Sequence, residues 1–417
     1  MTVRYEQAAW SWTQHLRAGG TTPWAEWGTS DRGADAEVPT GWSPPGAAQL
    51  ELVRLLAARS SPGPRFAALA DLALGRSGPG RGLAQQPLSW PDEPGVRRFG
   101  APPTDPAAVP VEELVRAGVG TLTELCLTTT RVPDRRTSLR RLPLTRTPAF
   151  ELAGAPVTTS VVRRALGAAG HAEGGRAPRV VLLAEPFDRA LAQVWSTRVQ
   201  GGAAVRWQGF VRRWSARGEL PPSAALGAIA RTWADRVGRE QVHVVAAPGS
   251  FEAAGAAAAA VLGVGLAPRR RPLPPRWQDL TPAAVDVVRR VNTVLDVRVG
   301  EDRHAEALRS LVPAVASCGP AGRTLTVPDA FRDWARRRAE RIVEELTAGG
   351  YPVHGRLEQL VPGFEAKPTH PRIEDTLDVV LTGCLALGIR ADGSGNPPKD
   401  PEDTQDTQDT QDRSTDR

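Results

Sequence analysis

"FELAGAPVTTSVVRRALGAAG", residues 150–170, decides how the chain folds. An apolar run from Phe150 to Ala153 meets a turn at Gly154-Ala155-Pro156. Three hydroxyl residues follow, Thr158, Thr159 and Ser160, and then a helical pattern. Strand, tight loop and helix start, in that order, make the layout that holds a phosphate or sulfate on free backbone N–H groups. The lysine such loops carry is missing, and Val157 stands where it would fall. Two readings are open at this level: the hydroxyls cap the helix, or they hydrogen-bond an anion.

The segments beyond repeat the pattern. "RVVLLAEP" (179–186) reads as a second strand with "FDRALAQVWSTRVQ" as its helix. "LPPSAALGAIARTWADRVG" reads as a helix, "QVHVVAAP" (241–248) as a third strand, and an Ala-rich helix comes after it. Continuous apolar strands alternating with helices predict a parallel sheet covered on both faces, with ligands at the carboxyl ends of the strands.

On the amino-terminal side, residues 1 to about 130 read as mostly helical and hold Trp10, Trp12, Trp24, Trp27, Trp42 and Trp90. Trp24 and Trp27 fall at i, i+3 in "TTPWAEW"; tryptophans so placed can stack on bases or sugars, but packing anchors between helices are the favoured reading. "GAAQLELVRLLAAR" (46–59) is amphipathic, with Leu50, Val53, Leu55 and Leu56 inward, and "VEELVRAGVGTLTELCL" (111–127) is a second such helix. The Pro/Gly-rich span 78–110 reads as an irregular connection. On the carboxyl side, "TPAAVDVVRRVNTVL" opens with a Thr cap and a Pro, and "PDAFRDWARRRAERIVEELTAGG" closes on Gly-Gly. The tail repeats Thr-Gln-Asp and lacks the apolar residues a core needs, which predicts disorder. The expected organisation is a helical Trp-containing region (1–140), an α/β domain with a helical carboxyl part (141–390), and an acidic tail (391–417).

Charge and composition narrow the function. The chain carries +6, but residues 391–417 hold eight acids and three bases, a net of −5, so the body carries about +11. Its arginines are scattered at helical spacing, which favours a solvated, ion-paired surface over a nucleic-acid groove. Lysine occurs only at Lys367 and Lys399, so no lysine in the first 366 residues can clamp a phosphate or form a Schiff base. "MTVRYEQAAWSWTQ" lacks the apolar core of a secretory signal, and the most apolar run, 253–268, is too short to span a bilayer. Cys126, Cys318 and Cys384 have neither disulfide-framework nor metal spacing. No metal is expected, no membrane partner is expected, and the cytoplasm is the simplest compartment. The histidines, His15, His171, His243, His304, His354 and His370, never stand at i, i+4; His243 alternates with apolar residues and reads as a strand histidine.

The order of these motifs resembles the sulfotransferases, which transfer a sulfuryl group from 3′-phosphoadenosine 5′-phosphosulfate (PAPS). In that family a Thr-Pro-Lys-Ser-Gly-Thr-Thr loop holds the phosphosulfate, and an Arg-Asn/Asp-Pro-x-x-Arg-Ala-x-Ser motif holds the 3′-phosphate. Here the first falls on Ala155-Pro156-Val157-Thr158-Thr159-Ser160 and the second on residues 184–192. Pro156, Pro186, Arg189 and Ala190 match. Val157, Ala184 and Ala192 replace the lysine, the 3′-phosphate arginine and the serine. The similarity runs over about residues 148–362.

The resemblance implies a P-loop-type α/β fold, a parallel sheet with flanking helices preceded by the helical region. It also implies a degenerate anion site of Gly154, Pro156, Thr158, Thr159, Ser160 and Arg189. A 3′-phosphate facing two alanines loses charge-assisted bonds of about 1.5–3 kcal/mol each. Glu185 in the same crevice would repel a polyanion. The expected function is therefore a binding or interaction role without PAPS chemistry and without a cofactor, toward an unknown protein or an anionic small molecule. The alternatives are an active sulfotransferase using PAPS through a rearranged site and, more weakly, binding of an acidic polymer or nucleic acid.

Overall fold

The computed structural model describes residues 2–27, 44, 46–75, 105–128, 149–175, 178–246, 250–266, 280–316, 318, 325–364 and 368–388. The expected disordered tail, most of the Pro/Gly-rich span, Trp42 and Trp90 lie outside the described residues.

The amino-terminal part is helical: α1 (Thr2–Arg17), α2 (Trp24–Trp27), α3 (Ala47–Ala57), α4 (Pro64–Leu74) and α5 (Val111–Thr128). Trp12 is fully buried, with its Nε1 donating to the Thr22 carbonyl at 2.9 Å, and Trp24 packs against it with ring centroids 5.1 Å apart. Trp27 is buried and stacks on His15. These tryptophans are packing anchors, while Trp10, on the outer side of α1, is exposed. In α3, Leu50, Val53 and Leu56 are buried as the pattern predicts. Leu52 joins them and Leu55 is half-buried, so the inward face is rotated slightly from the one read in the sequence.

The middle of the chain supplies β1 (Phe150–Gly154), α6 (Pro156–Ala168), β2 (Arg179–Ala184), α7 (Phe187–Gln200), α8 (Trp207–Arg217), α9 (Leu226–Val237), β3 (Val242–Ala246) and α10 (Phe251–Leu262). Then come α11 (Pro282–Leu295), α12 (Glu301–Val315), α13 (Arg332–Ala348), β4 (Val353–Gly355) and α14 (Ile373–Gly388). The strands form one all-parallel sheet in the order β1-β2-β3-β4. Gly154 lies beside Leu183 and Ala184 beside Ala246, so the loops after β1 and β2 emerge at the same end.

Both faces of the sheet are covered. Phe150, Leu152, Val181, Leu183 and Val245 bury against Val162 and Leu166 of α6 and Ala254, Ala258 and Leu262 of α10. Val180, Leu182, Val242 and Val244 point the other way, into a larger core with α7, α8, α9, α11 and α13. That core continues unbroken into α1, α3, α4, α5 and α14. Each large apolar side chain so buried contributes roughly 1.5–3 kcal/mol before chain entropy is counted. A polar joint fixes the packing of α7, α11 and α12. The fully buried Asn292 donates from Nδ2 to the carbonyls of Val199 (2.8 Å) and Ala203 (3.0 Å), so its Oδ1 must accept from Nε2 of His304 at 3.1 Å.

The topology positions the site. The helix after β1 lies on one face, the helices between β2 and β3 on the other, and α10 after β3 returns to the first. Where helices of neighbouring strands diverge to opposite faces, a crevice opens at the strands' carboxyl ends. The helices diverge in this way between β1 and β2 and again between β2 and β3, which makes these the two crevice positions of the fold.

Candidate functional site

The first crevice is built on Gly154. Its φ of +108° is left-handed backbone, and a Cβ there would be driven into the Leu183 carbonyl oxygen, so only glycine lets the chain turn this close to β2. Ala155 takes the cap position with extended ψ and no side-chain cap, and Pro156 opens α6, where its missing N–H costs nothing. The helix thus starts two residues before Thr158. The three hydroxyls stand inside the first turns and none of them is the N-cap.

Each N–H donor of that first turn is already used. The amides of Val157 and Thr158 both donate to Oε1 of Gln193 on α7, at 3.0 and 3.1 Å. Thr159 N–H donates to the Ala155 carbonyl at 2.8 Å and Ala155 N–H to Leu183 at 3.0 Å. Gln193 Nε2 donates to the Thr158 hydroxyl at 2.9 Å, which donates onward to Oε1 of Glu185 at 2.7 Å. Gln193, Thr158 and Glu185 are all buried. A glutamine amide therefore occupies the position an anion's oxygen would take, with a carboxyl group behind it.

Burial pushes the Glu185 carboxyl above the ordinary carboxylate range. Asp188 adds to that, while Arg189 and the Thr158 hydrogen bond oppose it. Arg189 Nε stands 3.5 Å from Glu185 Oε2, too long for a hydrogen bond, and its guanidinium lies over the Phe251 ring at 5.5 Å. Arg189 thus bridges toward the second crevice, half-buried between α7 and α10. Asp188 turns away from both, accepting from the Thr326 hydroxyl at 2.9 Å.

The structure therefore brings Gly154, Pro156, Thr158, Thr159 and Arg189 to one end of the sheet, but as parts of a closed polar cluster. Thr159 Oγ1 is buried without a hydrogen-bond partner among the described residues, and Ser160 is half-buried. Of the residues at donor-motif positions, Val157 and Ala184 are buried, and Ala192 is half-buried against the larger core. Arg163 is exposed and paired with Glu173, away from the loop. The residue missed in the sequence is Gln193. Its signal was present: a polar side chain on the inward face of α7, between Ala190, Leu191 and Val194, with no apolar role to play.

Among the described residues, no group of three or more His, Cys, Asp or Glu side chains is arranged to hold a metal ion, and no helix is long and apolar enough to cross a membrane. What fold and site define is a three-layer α/β protein whose switch-point crevice is capped from within. Comparison with protein-family models, curated proteins and solved structures finds no match for this chain.

Proposed function

We propose that this protein is a binding or interaction protein on a sulfotransferase-like layout, in which the crevice that would take a sulfate donor has been converted into a structural joint. One observation carries the reading: Gln193 Oε1 accepts both of the amides that a phosphosulfate group would need. An anion entering there must displace those two bonds and sit beside Glu185, without a lysine at Val157. Those costs act against PAPS regardless of how the rest of the nucleotide is held. The partner in this reading meets another surface of the molecule, a protein or a small anion recognised by the arginines of the basic body.

Isothermal titration of the full chain with PAPS and with adenosine 3′,5′-bisphosphate tests this directly. The expected result is no saturable binding below about 1 mM, an affinity of about −4 kcal/mol or weaker. Micromolar binding by the unmodified protein would overturn the reading and put a rearranged sulfotransferase in its place.

A further inference from the structure

Helix α8 carries arginine and no acid. Trp207, Phe210, Val211 and Trp214 bury its inner face, while Arg212, Arg213 and Arg217 stand exposed on the outside and Arg206 is exposed at the N-cap. Arg198, near the end of α7, joins them. Its guanidinium and that of Arg217 both lie over the Trp214 ring, 5.4 and 5.8 Å from the centroid. None of these arginines has a hydrogen-bond or ion-pair partner for its guanidinium among the described residues. Elsewhere the arginines pair as the sequence predicts, Arg163 with Glu173, Arg231 with Glu345 and Arg298 with Glu124. At the turn packed against α8 and the start of α13, Asp329 is committed to Arg332 at 2.7 Å and Asp333 to Arg336 at 3.7 Å. Glu219, exposed past the end of α8, is the one carboxylate beside that helix in the chain.

Helix polarity does not account for this face. Arginines in the last turn suit the negative end of a helix, but Arg206 stands at the N-cap, where the helix opposes a cation. The cation–π contacts hold Arg198 and Arg217 in place without using their N–H donors, which stay available to an oxyanion.

We propose that α8 and Arg198 form the docking face for the chain's own acidic stretch, residues 400–412, which masks these arginines from other polyanions. That stretch holds Asp400, Glu402, Asp403, Asp406, Asp409 and Asp412 with no base among them, the charge complement of the face. The connection is long enough. Trp207 Nε1 donates to the Thr326 carbonyl at 3.1 Å and the Thr326 amide to Pro368 at 3.0 Å, so α8 begins close to the segment that leads into α14. The 16 residues of α14 carry the chain about 24 Å from there. The acidic stretch starts 12 residues beyond Gly388 and finishes 24 beyond it, and at about 3.3–3.6 Å a residue it reaches about 40–85 Å, enough to return to α8. A segment too polar to fold alone can still be held by charge. The proposal stands apart from the crevice at Gln193, and nucleotide titration does not bear on it.

The test is an arginine footprint of the full chain with phenylglyoxal, read by mass spectrometry of the digest, against the full-length variant Asp403→Asn, Asp406→Asn, Asp409→Asn and Asp412→Asn. With a tethered segment at millimolar effective concentration, Arg198, Arg212, Arg213 and Arg217 should react at least about threefold more slowly in the wild type than in the variant. Arg239, exposed before β3, should react equally in both. The difference should persist on tenfold dilution and vanish at 1 M salt, where the Debye length is about 3 Å. A synthetic peptide of residues 400–412 should restore protection to the variant. Equal reactivity in the two chains at low salt would overturn the proposal. Protection lost on dilution would overturn it in favour of the tail of a second copy. An oligothymidine that protects these arginines equally in wild type and variant would show a face open to outside polyanions, and would overturn the masking role.

Discussion

Replacing Gln193 by alanine removes the acceptor shared by the Val157 and Thr158 amides and the donor to the Thr158 hydroxyl. A buried polar group left without a partner costs about 1–3 kcal/mol, and loss of a helix cap costs about 0.5–2 kcal/mol. Water entering the vacated space recovers part of this. The expected net loss for Gln193→Ala is about 2–4 kcal/mol, measured as a lower urea midpoint with unchanged slope. Gln193→Glu sharpens the argument. It keeps an oxygen for the two amides but brings a second carboxylate toward Glu185, so it should be destabilised at neutral pH and recover in acid. Added sulfate should stabilise Gln193→Ala more than wild type, because the freed amides form an ordinary helix-terminus anion site. A loss below about 0.5 kcal/mol for the alanine variant, the range of ordinary surface changes, would refute the capping role.

Three other outcomes follow from the same geometry. The folded Glu185 carboxyl keeps its proton to higher pH than the unfolded one, so wild-type stability falls as pH rises from about 4.5 through the raised folded value; Glu185→Gln should be more stable than wild type at pH 7, with the gain vanishing in acid denaturation series. Gly154→Ala must hold φ at +108° and push a methyl into the Leu183 carbonyl, so thermal or urea unfolding should show a loss of about 2 kcal/mol or more. Asn292→Ala strands the Val199 and Ala203 carbonyls and the His304 donor, and should lower stability by about 2–4 kcal/mol in the same assay.

Much of the fold was legible because it rests on local pattern. The apolar runs at 149–154, 179–186 and 241–248 contain β1, β2 and β3. The Thr281 cap, with its hydroxyl accepting from the Ala284 amide at 3.3 Å, was written in Thr-Pro. β4 was not legible, since Val353–Gly355 has neither length nor an apolar run and is a strand only because β3 offers its edge. The site divides the same way. Gly154 and Pro156 act locally and could be read; Gln193 acts across 36 residues of sequence on another element's amides, and no local pattern encodes that reach. The hydroxyls are displaced from the cap for a local reason: Pro156 is itself a favoured first helical residue, which moves the helix start ahead of Thr158.

Hydrogen–deuterium exchange at the Val157 and Thr158 amides, with and without adenosine 3′,5′-bisphosphate, tests the closed crevice most directly. If Gln193 caps α6, both amides exchange slowly in the free protein, the nucleotide leaves their rates unchanged, and Gln193→Ala accelerates them. Amides that exchange freely in the wild type and become protected when nucleotide is added would contradict the account.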